Sequence, residues 1–303
     1  MNVHITGGTG FVGSHLSNTL ADRDGVSVTV LSRNPSESPV PIDDSVDRRS
    51  VDVSDNTRKL DFSDADVVVH LVALSPLFKP KGTTHEEVHV GGTRNVVEAC
   101  ERDDVERLVH MSALGADPEG DTAYIRTKGE AEGVVKDSSL DSVIFRPSVV
   151  FGEGGEFVSF TKRLKKLFAP GLPIYPLPGG GKNTFQPIWV GDLAEMLADA
   201  AVEEDHVGDI YEVGGSEVLS LAEMSKMIYR SEGKPIKVVP VPIPLAKLGM
   251  SAMDPMPFIP FGKDQYRSLK IDNIVKGRNS VDVFGYSSNE LRTFGEYLGI
   301  DET

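Results

Sequence analysis

The first 150 residues alternate short β-branched runs with stretches of helical period. NVHIT (2–6), VSVTVL (26–31), a short run near 50–53, VVVHLV (67–72), RLVHMS (107–112) and SVIFRP (142–147) read as strands. The first and fourth are apolar almost without interruption, as expected of strands covered on both faces of a parallel sheet. Between them the pattern predicts helices near 11–22, 84–102 and 122–137. The resulting βαβα rhythm predicts an α/β fold, a Rossmann-type doubly wound parallel sheet.

After residue 150 the pattern changes. GEGGEF (152–157), GLPIYPLPGGGKNTF (171–185) and VPVPIPLAKLGMSAMDPMPFIPFG (239–262) are rich in glycine and proline, while IYEVGG (210–215) reads as one more strand. Irregular segments of that length in a compact protein usually carry function. Asp192 with Glu195, and Ser220 with Glu223, each have the spacing of a capping box that opens a further helix. The expected organisation is a Rossmann-type parallel-sheet domain over 1–150, to which 185–215 returns, with a smaller, interwoven region from 151–184 and 216–303 in which the substrate would bind.

The first predicted strand runs into Gly7-Gly8-Thr9-Gly10-Phe11-Val12-Gly13, and a helix is expected at once. Glycines at 8, 10 and 13 satisfy G-x-G-x-x-G. They allow a tight turn, let backbone approach a pyrophosphate and aim free helix N–H groups at it; a strand before and a helix after give the motif its meaning. Where an NAD-selective site would place a carboxylate against the ribose 2′-hydroxyl, this chain has Arg33. A guanidinium there suits a 2′-phosphate, so NADP(H) is favoured over NAD(H).

Ser112 closes the fifth predicted strand, and Tyr124 and Lys128, at i and i+4, share one face of the next helix. An adjacent ammonium and a nicotinamide cation would both favour the phenolate. Tyr124 is therefore the candidate acid-base group, Lys128 its electrostatic partner and a ligand of the nicotinamide ribose, and Ser112 the anchor for a substrate carbonyl or hydroxyl.

Composition narrows the alternatives. Asp and Glu outnumber Lys and Arg 46 to 31, a formal charge of −15, which disfavours nucleic acid and anionic lipid surfaces and suits a salt-rich interior. No apolar run approaches the roughly 20 residues of a membrane span. Cys100 is the only cysteine, excluding an internal disulfide and a thiolate metal cluster. With no export signal at MNVHIT, a cytoplasmic location is expected.

His85-Glu86-Glu87-Val88-His89 matches the H-E-x-x-H zinc pattern literally, but the position of a third ligand holds Asn95, and no metal site is expected. His70 and His110 lie inside apolar runs and read as hydrogen-bonded core residues, and Arg146 as an anchor for the cofactor loop or an acidic neighbour.

Taken in order, TGGTGFVG, the Asp52-Val53 pair, VVVHLVA (67–73), VHVGGTRNVVEAC (88–100), HMSALGA, YIRTK, FRPSVVFGEGG (145–155) and GGGKNTFQPIWVGDLA (179–194) resemble the extended and atypical short-chain dehydrogenase/reductases over nearly the whole chain. Within that family the chain looks similar to the epimerase/dehydratase-like branch related to the nucleotide-binding accessory subunit of respiratory complex I. The resemblance implies that Asp52 and Val53 meet the adenine, that Leu71, Val72 and Ala73 line the dinucleotide, and that Pro147, Ser148 and Val149 sit by the nicotinamide. Two departures stand out: His89 occupies the place of a tetrad asparagine, and the interval from Ser112 to Tyr124 is shorter than in sugar-nucleotide epimerases. The activity expected is NADP(H)-dependent oxidoreductase or epimerase/dehydratase-like chemistry on a small molecule. The alternative is a non-catalytic NADP(H)-binding subunit or sensor associated with complex I.

Overall fold

A computed structural model describes residues 1–55, 57–78, 81–245, 264, 267, 272–276, 280–287 and 289–300. Six strands alternate with helices through the first half: β1 (Asn2–Thr6), α1 (Phe11–Ala21), β2 (Ser27–Ser32), β3 (Asp47–Ser50), β4 (Val67–His70), α2 (Gly92–Arg102), β5 (Arg107–Met111), α3 (Ala123–Lys136) and β6 (Asp141–Pro147). There follow β7 (Val150–Phe151), α4 (Glu156–Phe168), β8 (Ile174–Pro178), β9 (Thr184–Phe185), β10 (Ile188–Trp189), α5 (Val190–Val202), β11 (Ile210–Val213), β12 (Leu219–Ser220), α6 (Leu221–Ser231) and β13 (Lys237–Val241).

Seven strands form one parallel sheet in the order β11-β6-β5-β4-β1-β2-β3. All four residues of β4 are buried, which is why its sequence shows no polar alternation. Strand order reverses between β1 and β4, and in an open α/β sheet the crevice beyond the carboxyl ends at such a point is where ligands bind. One core packs α1 and α5 against the sheet through Leu16, Leu20, Leu193 and Leu197, all fully buried; each such side chain contributes roughly 1.5–3 kcal/mol by leaving water.

A second core, built on Phe151, Phe160, Tyr175, Met224 and Phe294, joins α4, α6 and the β8–β13 pair. It draws on residues that flank the glycine- and proline-rich runs as well as on Tyr175 and Leu177 within them. The helix Glu156–Phe168 is an addition to the elements expected there.

Three expectations are corrected. The third strand is Asp47–Ser50, sequence DRRS, and not 50–53; an edge strand exposed to water has no need of the apolar run. Helix α5 opens at Val190 with Trp189 as its unaided cap, so Asp192 lies inside the first turn and forms no capping box; its Oδ2 instead accepts the Arg292 N–H at 3.0 Å. His110 is buried, but neither ring nitrogen has a partner among the described residues, and the ring stacks on His70 at 5.4 Å. The Ser220–Glu223 capping box forms as expected.

Candidate active site

At the carboxyl end of β1 the chain turns through Gly7, whose φ of +77° is open to glycine at little cost. A Cβ on Gly13 would stand 2.2 Å from the Gly7 carbonyl oxygen, so only glycine lets α1 sit this close to the turn. The N-cap residue, Gly10, offers no side-chain acceptor. The first-turn amides of Phe11, Val12 and Gly13, which no helical carbonyl can satisfy, border a cavity of about 920 Å³. Thr9 Oγ1 donates to Ser32 Oγ at 2.8 Å and ties this turn to the end of β2. Arg33 follows, exposed at the cavity rim, with no partner for its guanidinium among the described residues.

Farther along the same wall stand Asp52 and Val53, the latter's carbonyl accepting from Asn95 Nδ2 at 2.8 Å. The residue at the third position of the zinc pattern is thus a brace for this loop. Leu71, Val72 and Ala73 line the cavity as β4 ends, with the Leu71 N–H donating to the Thr6 carbonyl at 3.0 Å.

Helix α3 begins at a Thr122 cap, whose Oγ1 accepts from the Ile125 N–H, and brings Tyr124 and Lys128 to the cavity. Lys128 is 1% exposed, and its Nζ donates to the Met111 carbonyl at 2.8 Å. An ammonium carries three hydrogens, so two are left to face a ligand. Burial pulls its pKa down to about 8, against a smaller opposing pull from Glu132. The Tyr124 hydroxyl has no hydrogen-bond partner among the described residues. Burial pushes its phenol up to about 12, opposite to the lowering expected from a neighbouring ammonium. Ser112 lines the cavity, but its Oγ is buried without a hydrogen bond of ordinary geometry and lies close enough to help stabilise the Glu132 carboxylate.

Glu132, not singled out from the sequence, continues the four-residue stripe from Tyr124 through Lys128 to Lys136. Burial raises its carboxyl, but the Arg146 guanidinium, the Ser112 hydroxyl and Lys136 together hold it below the ordinary range. That assigns Arg146 an acidic neighbour. Pro147, Ser148 and Val149 border the cavity, and Ser148 Oγ donates to the Asn273 side-chain oxygen at 2.6 Å, bringing a later segment into the site. Leu74, Leu77, Phe157 and Phe185 give the far side an apolar wall.

The two histidines of the zinc pattern lie side by side. Their rings are 5.0 Å apart, and both nitrogens of His89 are engaged, Nε2 by the Leu74 N–H at 3.0 Å and Nδ1 by Thr127 Oγ1 at 2.9 Å. A wide π-helical segment, Glu86–Gly91, carries His89 into α2; such bulges are frequent at functional sites.

The observed cradle fits a dinucleotide: open helix amides, a contact that excludes a Cβ, and a buried ammonium with hydrogens to spare. Apart from Gly8, which packs against Val30, every cofactor-side and proton-transfer residue named from the sequence borders the same cavity. Glu132, Thr127 and Asn273 were not read from it, and only Glu132 left a signal, its place on the α3 stripe.

Among the described residues no helix is long and apolar enough to cross a membrane. The chain is 25% identical over 258 residues to the mitochondrial NADH-ubiquinone oxidoreductase 40 kDa subunit of Neurospora crassa, covering 80% of this chain but only 63% of the fungal protein. It is 26% identical to the UDP-glucose 4-epimerase of Vibrio cholerae, with 82% of this chain and 80% of that one matched. The crystal structure of the Thermus thermophilus UDP-glucose 4-epimerase complexed with NAD superposes with a TM-score of 0.70 at 25% identity, over 98% of this chain and 97% of that one. The NAD dependent epimerase/dehydratase family model matches residues 3–214, well over half the sequence. With that match and a parallel seven-stranded sheet around a glycine cradle, the chain belongs to the NAD dependent epimerase/dehydratase family, the extended short-chain dehydrogenase/reductases.

Proposed function

We propose that the chain is an NADP(H)-dependent oxidoreductase or epimerase/dehydratase-like enzyme acting on a hydroxyl or carbonyl of a small molecule. One observation carries the reading: the glycine cradle, the buried Lys128 and Tyr124, whose hydroxyl has no partner among the described residues, border one continuous cavity. The bound nicotinamide supplies or accepts the hydride. The protein's own residues do the rest. Amides of the first turn of α1 hold the pyrophosphate, and Leu71, Val72, Ala73, Asp52 and Val53 flank the nucleotide. Lys128 bonds the ribose, and Ser112 orients the substrate oxygen.

Tyr124 holds the proton that passes to or from that oxygen. Burial raises the phenol to about 12, so it holds its proton at neutral pH, the form that can donate to a substrate oxygen. Arg33, at the rim with no partner for its guanidinium among the described residues, supports NADP(H) over NAD(H) through attraction to a 2′-phosphate.

A second reading, a non-catalytic NADP(H)-binding subunit or sensor, has two observations in its favour: the raised Tyr124 phenol, and the similarity to a respiratory-complex subunit. Under that reading the protein would associate with a complex I-like assembly. Titration of NADPH and NADH by fluorescence, followed by absorbance at 340 nm with a panel of ketones and aldehydes, tests both. Binding with NADPH oxidation supports the oxidoreductase, binding with no oxidation across the panel is what the subunit or a cofactor-recycling epimerase/dehydratase would give, and no binding of either nucleotide rejects both readings.

A further inference from the structure

His89 is a buried titratable group that the chemistry proposed above does not use. Its surroundings determine where its proton lies. The Leu74 backbone N–H can only donate, and it points at Nε2 from 3.0 Å, so Nε2 must present its lone pair. The hydrogen of a neutral imidazole is then on Nδ1, which faces Thr127 Oγ1 at 2.9 Å. Thr127 spends its own hydrogen on the Ala123 carbonyl at 2.8 Å, with the Tyr124 carbonyl at 3.2 Å as a second acceptor. Its oxygen lone pair is therefore free to receive Nδ1–H. The chain of donors runs one way, from Leu74 through His89 and Thr127 into the first turn of α3.

The two ends of that chain are the two walls of the cavity. Leu74 belongs to the segment after β4 that lines it, and the first turn of α3 presents Tyr124. The Tyr124 ring meets the His89 ring edge to face at 5.5 Å and the His85 ring at 5.8 Å, so the phenol is also wedged by packing. A second proton on His89 would turn Nε2–H against the Leu74 N–H. Burial, then Lys128 and His85, oppose that charge and push the ring's pKa down to about 2, outweighing a smaller opposite pull from the Leu74 backbone.

We infer that His89, as the Nδ1–H tautomer bridging the Leu74 amide and the Thr127 hydroxyl, is a positioning residue that sets Tyr124 against the loop forming the opposite wall. His89 passes no proton, because its lone pair and its hydrogen are both committed. The significance for chemistry rests on the function proposed above; the bridge itself does not.

The test uses the full chain, labelled with ¹⁵N-histidine and ¹³Cζ-tyrosine, with NADPH as the probe. In the unaltered protein the histidine spectrum should show His89 protonated at Nδ1 alone and unchanged from pH 5 to 8. Thr127→Val removes the acceptor without changing the shape of the side chain, and His89→Phe keeps the ring but loses both bonds. Both should move the Tyr124 Cζ resonance and its titration, while His85→Phe, which breaks no bond in the chain, should move them less. An Nε2–H tautomer, a His89 that titrates in that range, or a Tyr124 signal unmoved in Thr127→Val overturns the inference. Should His89→Phe fail to fold, the tautomer and Thr127→Val still decide. Failure of NADPH to bind would reject the proposed function alone, since tautomer and Tyr124 signal are read equally well without it.

Discussion

Glu132 and Arg146 meet through two hydrogen bonds, Nε to Oε1 at 2.7 Å and Nη2 to Oε2 at 2.6 Å, joining α3 to β6. The carboxylate is 1% exposed, so removing its charge leaves a guanidinium without its partner in a largely dry place. Breaking a buried pair costs about 3–5 kcal/mol, and because Arg146 is partly exposed, Glu132→Gln should lie near or below the lower end. A fall in Tm with retained circular dichroism is the expected result. The pH dependence has a definite sign. Because the folded-state pKa of Glu132 is lowered, its contribution is complete above the ordinary value of 4.5 and is lost as pH falls through the folded value. The gap in Tm between Glu132→Gln and the unaltered protein should therefore narrow below pH 4.5.

Asp192 behaves in the opposite sense. Burial raises its carboxyl to about 6, with the Arg292 N–H and the Arg292 charge opposing that rise. A carboxyl raised on folding favours the folded state fully below its ordinary value of 3.8, and that advantage is lost as pH rises through about 6. Asp192→Asn keeps an oxygen for the Arg292 amide and removes the charge. Its Tm should exceed that of the unaltered protein at pH 7.5, with the gap shrinking as pH falls toward 3.8; equal values at both ends would show that the carboxylate is well solvated.

Arg33 sets the expected choice of cofactor. Arg33→Asp replaces attraction to a 2′-phosphate by repulsion and should narrow or reverse the preference for NADPH, read as the ratio of dissociation constants by fluorescence titration. Equal binding of NADPH and NADH by the unaltered protein would remove the basis for the NADP(H) assignment.

The charge of −15 makes salt a variable. Screening relieves like-charge repulsion, with a Debye length of about 10 Å at 0.1 M shrinking to about 3 Å at 1 M. Tm should rise from low to molar salt, and a flat response would show that the acidic surface is already balanced locally, as by the Arg23 pairs with Glu195 and Asp199.

Much of this architecture is legible in the sequence because strands buried on both faces must be apolar, and because a glycine turn at a strand-to-helix junction has few other uses. β1, β4, α1 and α3 are readable for those reasons, and Tyr124 and Lys128 by their spacing on α3. What the sequence conceals depends on contacts between distant segments. The pairing of β8 with β13 and the core around Phe160 and Phe294 bring together residues far apart in sequence, and α4, itself free of glycine and proline, lies between the glycine-rich run before it and the glycine- and proline-rich run after it. The Asp192 spacing imitates a cap one turn too late. In the site, the bonds that commit both nitrogens of His89 come from Leu74 and Thr127, which no local motif connects to it.

The central claim is that Tyr124 delivers a proton to substrate in a cofactor cavity, and Tyr124→Phe tests it most directly by removing the phenolic oxygen alone. General acid-base catalysis contributes about 10²- to 10⁴-fold, so NADPH oxidation with any carbonyl compound accepted by the unaltered protein should fall by about that factor. NADPH affinity, measured on the same preparation, should change little, because the cradle and Lys128 remain. Undiminished turnover in Tyr124→Phe would contradict the account.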